Sequence, residues 1–130
     1  MRNGVHWCVS FSVASLMLGG LPALAAGNDG LTGQWARDDG GTRIEIVVCG
    51  QEFCATNIWV KDPGGKERVG DKLILSLEPV SNSVLKGQAY DVRRKIDFKI
   101  AITLQQTSMS TTGCVFFGII CRSAEWTRTN

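Results

Sequence analysis

From Ile96 to Leu104 the chain alternates without a fault: Ile96, Phe98, Ile100, Ile102 and Leu104 share one parity, and Asp97, Lys99, Ala101 and Thr103 share the other. A period of two marks a strand with one buried face, because successive side chains leave opposite sides of the pleat. The same period returns in Leu31–Arg37, Thr42–Cys49, Cys54–Lys61, Lys72–Glu78, Val84–Asp91, Thr107–Val115 and Ile119–Arg128, and no stretch holds a long helical period. Its inward sets include Ile44, Ile46 and Val48, then Thr56, Ile58 and Val60, then Leu73, Leu75 and Leu77. Asp38-Asp39-Gly40-Gly41, Ser81-Asn82-Ser83 and Arg93-Arg94 are turn chemistry, and the longest link is Asp62–Asp71.

Eight short strands joined like hairpins predict an all-β fold, an eight-stranded up-and-down antiparallel barrel that is filled by side chains or holds one small ligand. Closure requires the first and last strands to meet. Gly33-Gln34-Trp35 near one end and Glu125-Trp126-Thr127-Arg128 near the other supply the parts. Gly33 lets another segment approach, Trp35 plugs the barrel, and Arg128 lies across its indole. A two-sheet sandwich is the alternative, and it leaves that contact unexplained.

Residues 1–25 read as a signal peptide rather than as structure: Arg2, an apolar run over Trp7–Leu21, Pro22, and small residues at Ala23 and Ala25. Cleavage near Ala25-Ala26 leaves one barrel domain, 26–130, periplasmic or secreted, with no stable membrane span after processing. The only histidine, His6, leaves with the leader, and so does Cys8. Formal net charge drops from +2 to near +1 with Arg2, a balance that implies no nucleic-acid partner.

Four cysteines then remain, and in an exported chain they read as two disulfides. Three connectivities are open. A turn centred on Gln51-Glu52 places Cys49 opposite Cys54, and one at Phe117-Gly118 places Cys114 opposite Cys121, so geometry favours Cys49–Cys54 and Cys114–Cys121. Zinc is the rival, but Cys-x4-Cys with Cys-x6-Cys and no histidine matches known sites poorly.

The ordered set Gly33-x-Trp35, Asp39-Gly40-Gly41, Ile44-x-Ile46, Cys49-Gly50, Cys54, Trp59-Val60-Lys61-Asp62-Pro63, Gly87, Tyr90-Asp91, Gly113-Cys114, Cys121 and Trp126-Thr127-Arg128 resembles an exported bacterial family catalogued as domain of unknown function 2147. The resemblance spans roughly residues 31–129 and implies a lipocalin-like (calycin-type) barrel of the periplasm. Two departures stand out: Val92-Arg93-Arg94-Lys95-Ile96-Asp97 replaces an expected Pro and Gly turn, and Ala55 replaces a Gly.

Without a histidine, Ser–His–Asp and Cys–His catalysis have no base, and paired cysteines offer no thiolate. Asp38-Asp39 ahead of two glycines is turn chemistry, and Gly64-Gly65-Lys66 lacks the helix a phosphate loop needs. The reading is therefore non-enzymatic, with no cofactor and no metal. Binding of a small apolar or amphiphilic ligand is the favoured role, with Thr56, Met109, Thr111, Arg122 and Trp126 as candidate ligand-binding residues. Arg122 shares parity with Trp126 and is the candidate partner for an acidic headgroup. The alternative is a protein-interaction module of the cell envelope, such as an enzyme inhibitor with a filled core. Its candidate surfaces are Asp62–Asp71 and Val92–Lys95, with Tyr90 and Trp59 as contact aromatics if they face outward.

Overall fold

The structure, a computed structural model, describes residues 30–130. The leader read over residues 1–25 lies outside the described residues. Eight strands follow: β1 (Gly33–Arg37), β2 (Thr42–Cys49), β3 (Glu52–Val60), β4 (Lys72–Pro79), β5 (Val84–Asp91), β6 (Ile96–Leu104), β7 (Ser108–Val115) and β8 (Ile120–Arg128). Each pairs antiparallel with the next, and β8 returns to β1, so the sheet closes in sequence order. This is the all-β, up-and-down barrel that the alternation predicts.

Such an order sorts the links between two ends. One end carries the β2–β3, β4–β5 and β6–β7 turns and both ends of the described chain. The other carries the β1–β2, β3–β4, β5–β6 and β7–β8 links. The first end is packed shut. Leu31, Trp35, Ile46, Ile102 and Met109 are all at or near zero exposure there or in the middle of the barrel. Trp35 Nε1 donates to the Leu31 carbonyl at 3.0 Å, which satisfies the one polar atom of a buried indole. The Arg128 guanidinium lies 4.2 Å from the Trp35 ring centroid. It also donates to the Thr32 carbonyl at 2.8 Å and to the Gly30 carbonyl. Gly33 makes room for this: its φ is +130°, and a Cβ there would fall 2.5 Å from Arg128 Nη1.

One inward set differs from the sequence reading. In the first half of β3 the buried residues are Phe53 and Ala55, opposite Val48 and Ile46, whereas Thr56 pairs with Glu45 and Lys72 on the outward parity. The cause is a bulge. Arg43 pairs with Trp59 but Ile44 pairs with Asn57, so Ile58 is an extra residue and the alternation resets before the buried Val60. A single inserted residue reverses every side chain beyond it. Ile58 is accordingly exposed, and so is Val48 at the end of β2.

Two disulfides are present among the described residues. Cys114 and Cys121 stand directly opposite, Cα atoms 4.1 Å apart. Cys49 and Cys54 are bridged diagonally, 5.8 Å apart, because the turn falls at Gly50-Gln51 and pairs Cys49 with Glu52 and Cys54 with Val47. Two such bridges fit an oxidising compartment outside the cytoplasm. No helix among the described residues is long and apolar enough to cross a membrane.

Candidate functional site

The second end opens into a cavity of about 970 Å³. Leu73 of β4, Phe98 and Ile100 of β6, Val115 of β7 and Ala124 of β8 make its apolar wall. They do so because inward parity on these strands runs in unbroken steps of two up to the mouth. Ile96, the first of its set, lines that mouth and is therefore exposed rather than buried. Gly113 widens the interior: Phe98 lies against it so closely that a Cβ would sit 2.9 Å from the ring.

The cavity has one incomplete side. β1 stops at Arg37, and only Trp35, Ala36 and Arg37 pair with β8, opposite Arg128, Thr127 and Trp126. Beyond them only Asp38 continues the seam, its N donating to the Glu125 carbonyl at 2.8 Å and its carboxylate accepting from the Thr127 hydroxyl at 2.7 Å. Asp38, Asp39, Ser123 and Glu125 thus border the cavity as well.

Across the mouth runs the long β3–β4 link, and it is tied down by charge. Glu67 receives Arg37 Nη1 at 2.7 Å and Nη2 at 3.1 Å, and the buried Thr42 hydroxyl donates to it at 2.5 Å. The bond from Arg37 holds the Glu67 carboxyl below its ordinary range against the opposing effect of burial, with Thr42 adding to the lowering. Arg37 also donates to Asp39 and lowers that carboxyl in turn. The β5–β6 turn contributes the second tie. Arg93 donates to Asp71 at 2.6 and 2.9 Å, and Asp71 is held low chiefly by that bond. Arg94 Nη1 meets the buried Asp91 at 2.8 Å. Both guanidinium groups then donate to one acceptor, the Lys66 carbonyl, at 2.8 and 2.6 Å. Bidentate arginine–carboxylate pairs are the strong members of their class.

The candidate residues separate on this frame. Thr111 and Arg122 line the cavity. Met109 is buried beneath it in the core, and Trp126, also buried, reaches it through Thr111, whose hydroxyl accepts from Trp126 Nε1 at 3.0 Å. Thr56 is on the outer surface, for the reason given by the bulge. Arg122 belongs to none of the four ion pairs among the described residues. Asp62–Asp71 and Val92–Lys95, read as two separate candidate surfaces, are joined to each other by Arg93 and Arg94. Trp59 is exposed, with Arg43 over its ring at 5.5 Å, and Tyr90 is half-buried on the outward parity.

The arginine–glutamate tie was not legible in the chain, because Arg37 and Glu67 are 30 residues apart and each resembles any surface charge. Among the described residues no group of three or more His, Cys, Asp or Glu is placed to hold a metal ion.

A closed, disulfide-bridged eight-stranded barrel, sealed at one end and hollow at the other, is thus the class to which this protein belongs. Residues 33–128 match the family described as "Uncharacterized protein conserved in bacteria (DUF2147)", and the chain is a member of it. No curated protein and no solved structure matches the chain.

Proposed function

We propose that this protein is a lipocalin-like, non-catalytic binder of a small amphiphile in the periplasm or outside the cell. The apolar tail lies against Phe98, Ile100 and Val115, and an acidic headgroup meets Arg122 near the mouth. One observation carries the reading: an apolar cavity wall faces a lining arginine that has no anion partner among the described residues. Pockets of this kind pair mostly apolar walls with a few orienting polar groups, and the volume of about 970 Å³ suits a drug- or lipid-sized guest.

The Thr111–Trp126 hydrogen bond supplies a reporter, since a guest touching Thr111 changes the surroundings of a buried indole. A long-chain fatty acid should produce a saturable change in tryptophan emission, weakened at least tenfold in apparent affinity by Arg122→Ala and absent in Trp126→Phe. Native mass spectrometry of protein taken from its own cell envelope should show a retained amphiphile. A flat titration together with a bare mass would sink the proposal.

A protein-facing role is the second reading, favoured by the exposed Trp59 beneath Arg43. Recovery of one envelope enzyme with the protein, lost on Trp59→Ala, would favour it.

A further inference from the structure

The β7–β8 hairpin ends in an apolar tip. Phe116, Phe117, Ile119 and Ile120 are 68%, 99%, 80% and 51% exposed, in a link where polar turn residues are the rule. Nothing about the tip is slack. Ile119 N donates to the Phe116 carbonyl at 3.2 Å, and the Cys114–Cys121 bridge closes the hairpin just below. Phe116 and Phe117 both hold positive φ, 53° and 58°, followed by Gly118 at 83°. Left-handed backbone at two successive phenylalanines costs energy, and it is kept here by a hairpin that turns both rings outward.

We propose that this tip inserts into the interface of an anionic lipid bilayer and seats the barrel there with its mouth toward the membrane. Its shape and size choose the occupant. The four side chains offer on the order of 500 Å² of apolar surface, short of the roughly 800 Å² per partner in a stable protein interface. A convex tip with bulky rings is, in contrast, what an acyl boundary accepts without a matching pocket. Charge agrees. Lys99 is the cross-strand neighbour of Cys114, Arg122 that of Gly113, and Lys95 sits in the turn at the same end. None of the three belongs to an ion pair among the described residues, and Asp97 is the one acid on β6. Cations beside an apolar anchor add attraction to anionic headgroups. Because Ile120 and Val115 also line the cavity, a tip seated in lipid places the cavity mouth against the membrane surface. The proposal goes beyond the binding reading and does not require the cavity to be filled.

The test is co-sedimentation with vesicles of phosphatidylcholine containing phosphatidylglycerol, and with phosphatidylcholine alone. It uses the protein purified from its own cells and a Phe117→Asn/Ile119→Asn variant purified identically, so that both carry the same N-terminus. Asparagine tolerates left-handed backbone, and these side chains have little packing to lose, so the variant should fold. Unchanged circular dichroism and melting would confirm that. The native protein should bind the anionic vesicles, and the variant should partition at least tenfold more weakly. Lys95→Gln/Lys99→Gln should lower binding to anionic vesicles alone. Equal binding by native and variant protein, or none by either, overturns the proposal. So does a concentration-dependent dimer that the variant abolishes, which would make a second copy the occupant. Fatty-acid-induced tryptophan emission, measured in parallel, keeps the two readings apart: vesicle binding can fail while that response survives, and the reverse.

Discussion

Replacing Gly33 by Ala tests whether closure of this barrel rests on one close approach. The new methyl would lie 2.5 Å from Arg128 Nη1, on a residue whose φ is +130°. Backbone strain at such an angle costs about 1–3 kcal/mol in a residue that carries a Cβ. The overlap itself is with the far end of a flexible side chain, so Arg128 swings away and the penalty is what it leaves behind. That is a cation over the Trp35 ring, worth about 0.5–2 kcal/mol. It is also two bonds to the Thr32 and Gly30 carbonyls, about 1 kcal/mol each at a partly exposed site. Gly33→Ala should therefore cost about 3.5–7 kcal/mol, and Arg128→Ala, which forfeits the contacts without the strain, about 2.5–4 kcal/mol. Their costs overlap, since both forfeit the same contacts. The double variant should fall short of the sum by that shared cost, about 2.5–4 kcal/mol. Urea unfolding with the disulfides intact, followed by far-ultraviolet circular dichroism, supplies all four corners of the cycle, and a two-state small domain is suited to it. Strict additivity would refute the reasoning, because the glycine and the arginine would then act on separate features. A Gly33→Ala cost below about 1 kcal/mol would refute the strain component as well.

Trp35→Ala should cost about 3–5 kcal/mol, the range for truncating a large core side chain, and a loss below 1 in the same urea assay would show that the indole is not the plug. The clasp over the mouth should weaken in acid. Glu67 and Asp71 titrate lower in the folded protein than in the unfolded chain, so their contribution is full above the ordinary carboxylate range and is lost as pH falls through their depressed values. Melting temperature should consequently drop more steeply below about pH 4.5 in the native protein than in Glu67→Gln, and identical slopes would contradict the assignment. Serine in place of Cys114 and Cys121 should lower stability by about 2–3 kcal/mol, because a short ring limits the loop entropy removed. The Cys49–Cys54 pair should give a similar value, and a loss above 5 for either would point to native-state contacts beyond the cross-link.

How much of this was legible depends on where regular pairing holds. Parity holds along β4, β5 and β6, and along β2 as far as Ile46, so Ile44, Leu75, Ala89 and Ile102 are readable as core from parity alone. Parity fails on β3 from Thr56 to Ile58 because a bulge leaves no mark in the residue pattern; it is the register against β2 that reveals it. The cavity's charged clasp was invisible for another reason: an arginine on β1 and a glutamate in a distant link look like solvated charges until closure brings them together. The apolar tip does leave a signal, two phenylalanines and two isoleucines around a glycine between paired cysteines.

These departures share a location. The bulge at Ile58, the early end of β1, and the three non-glycine residues with positive φ among the described residues (Lys95, Phe116 and Phe117) lie toward the open end. The sealed end keeps nearer to period two and is filled to the centre by Leu31, Trp35 and Met109. A barrel obeying the pattern throughout would be packed throughout. Local rules are broken in folded proteins mainly where something other than stability is served. The clustering of broken rules around one mouth, beside an arginine without an ion-pair partner and a tip without a cover among the described residues, is the physical ground for proposing function there and not at the sealed end.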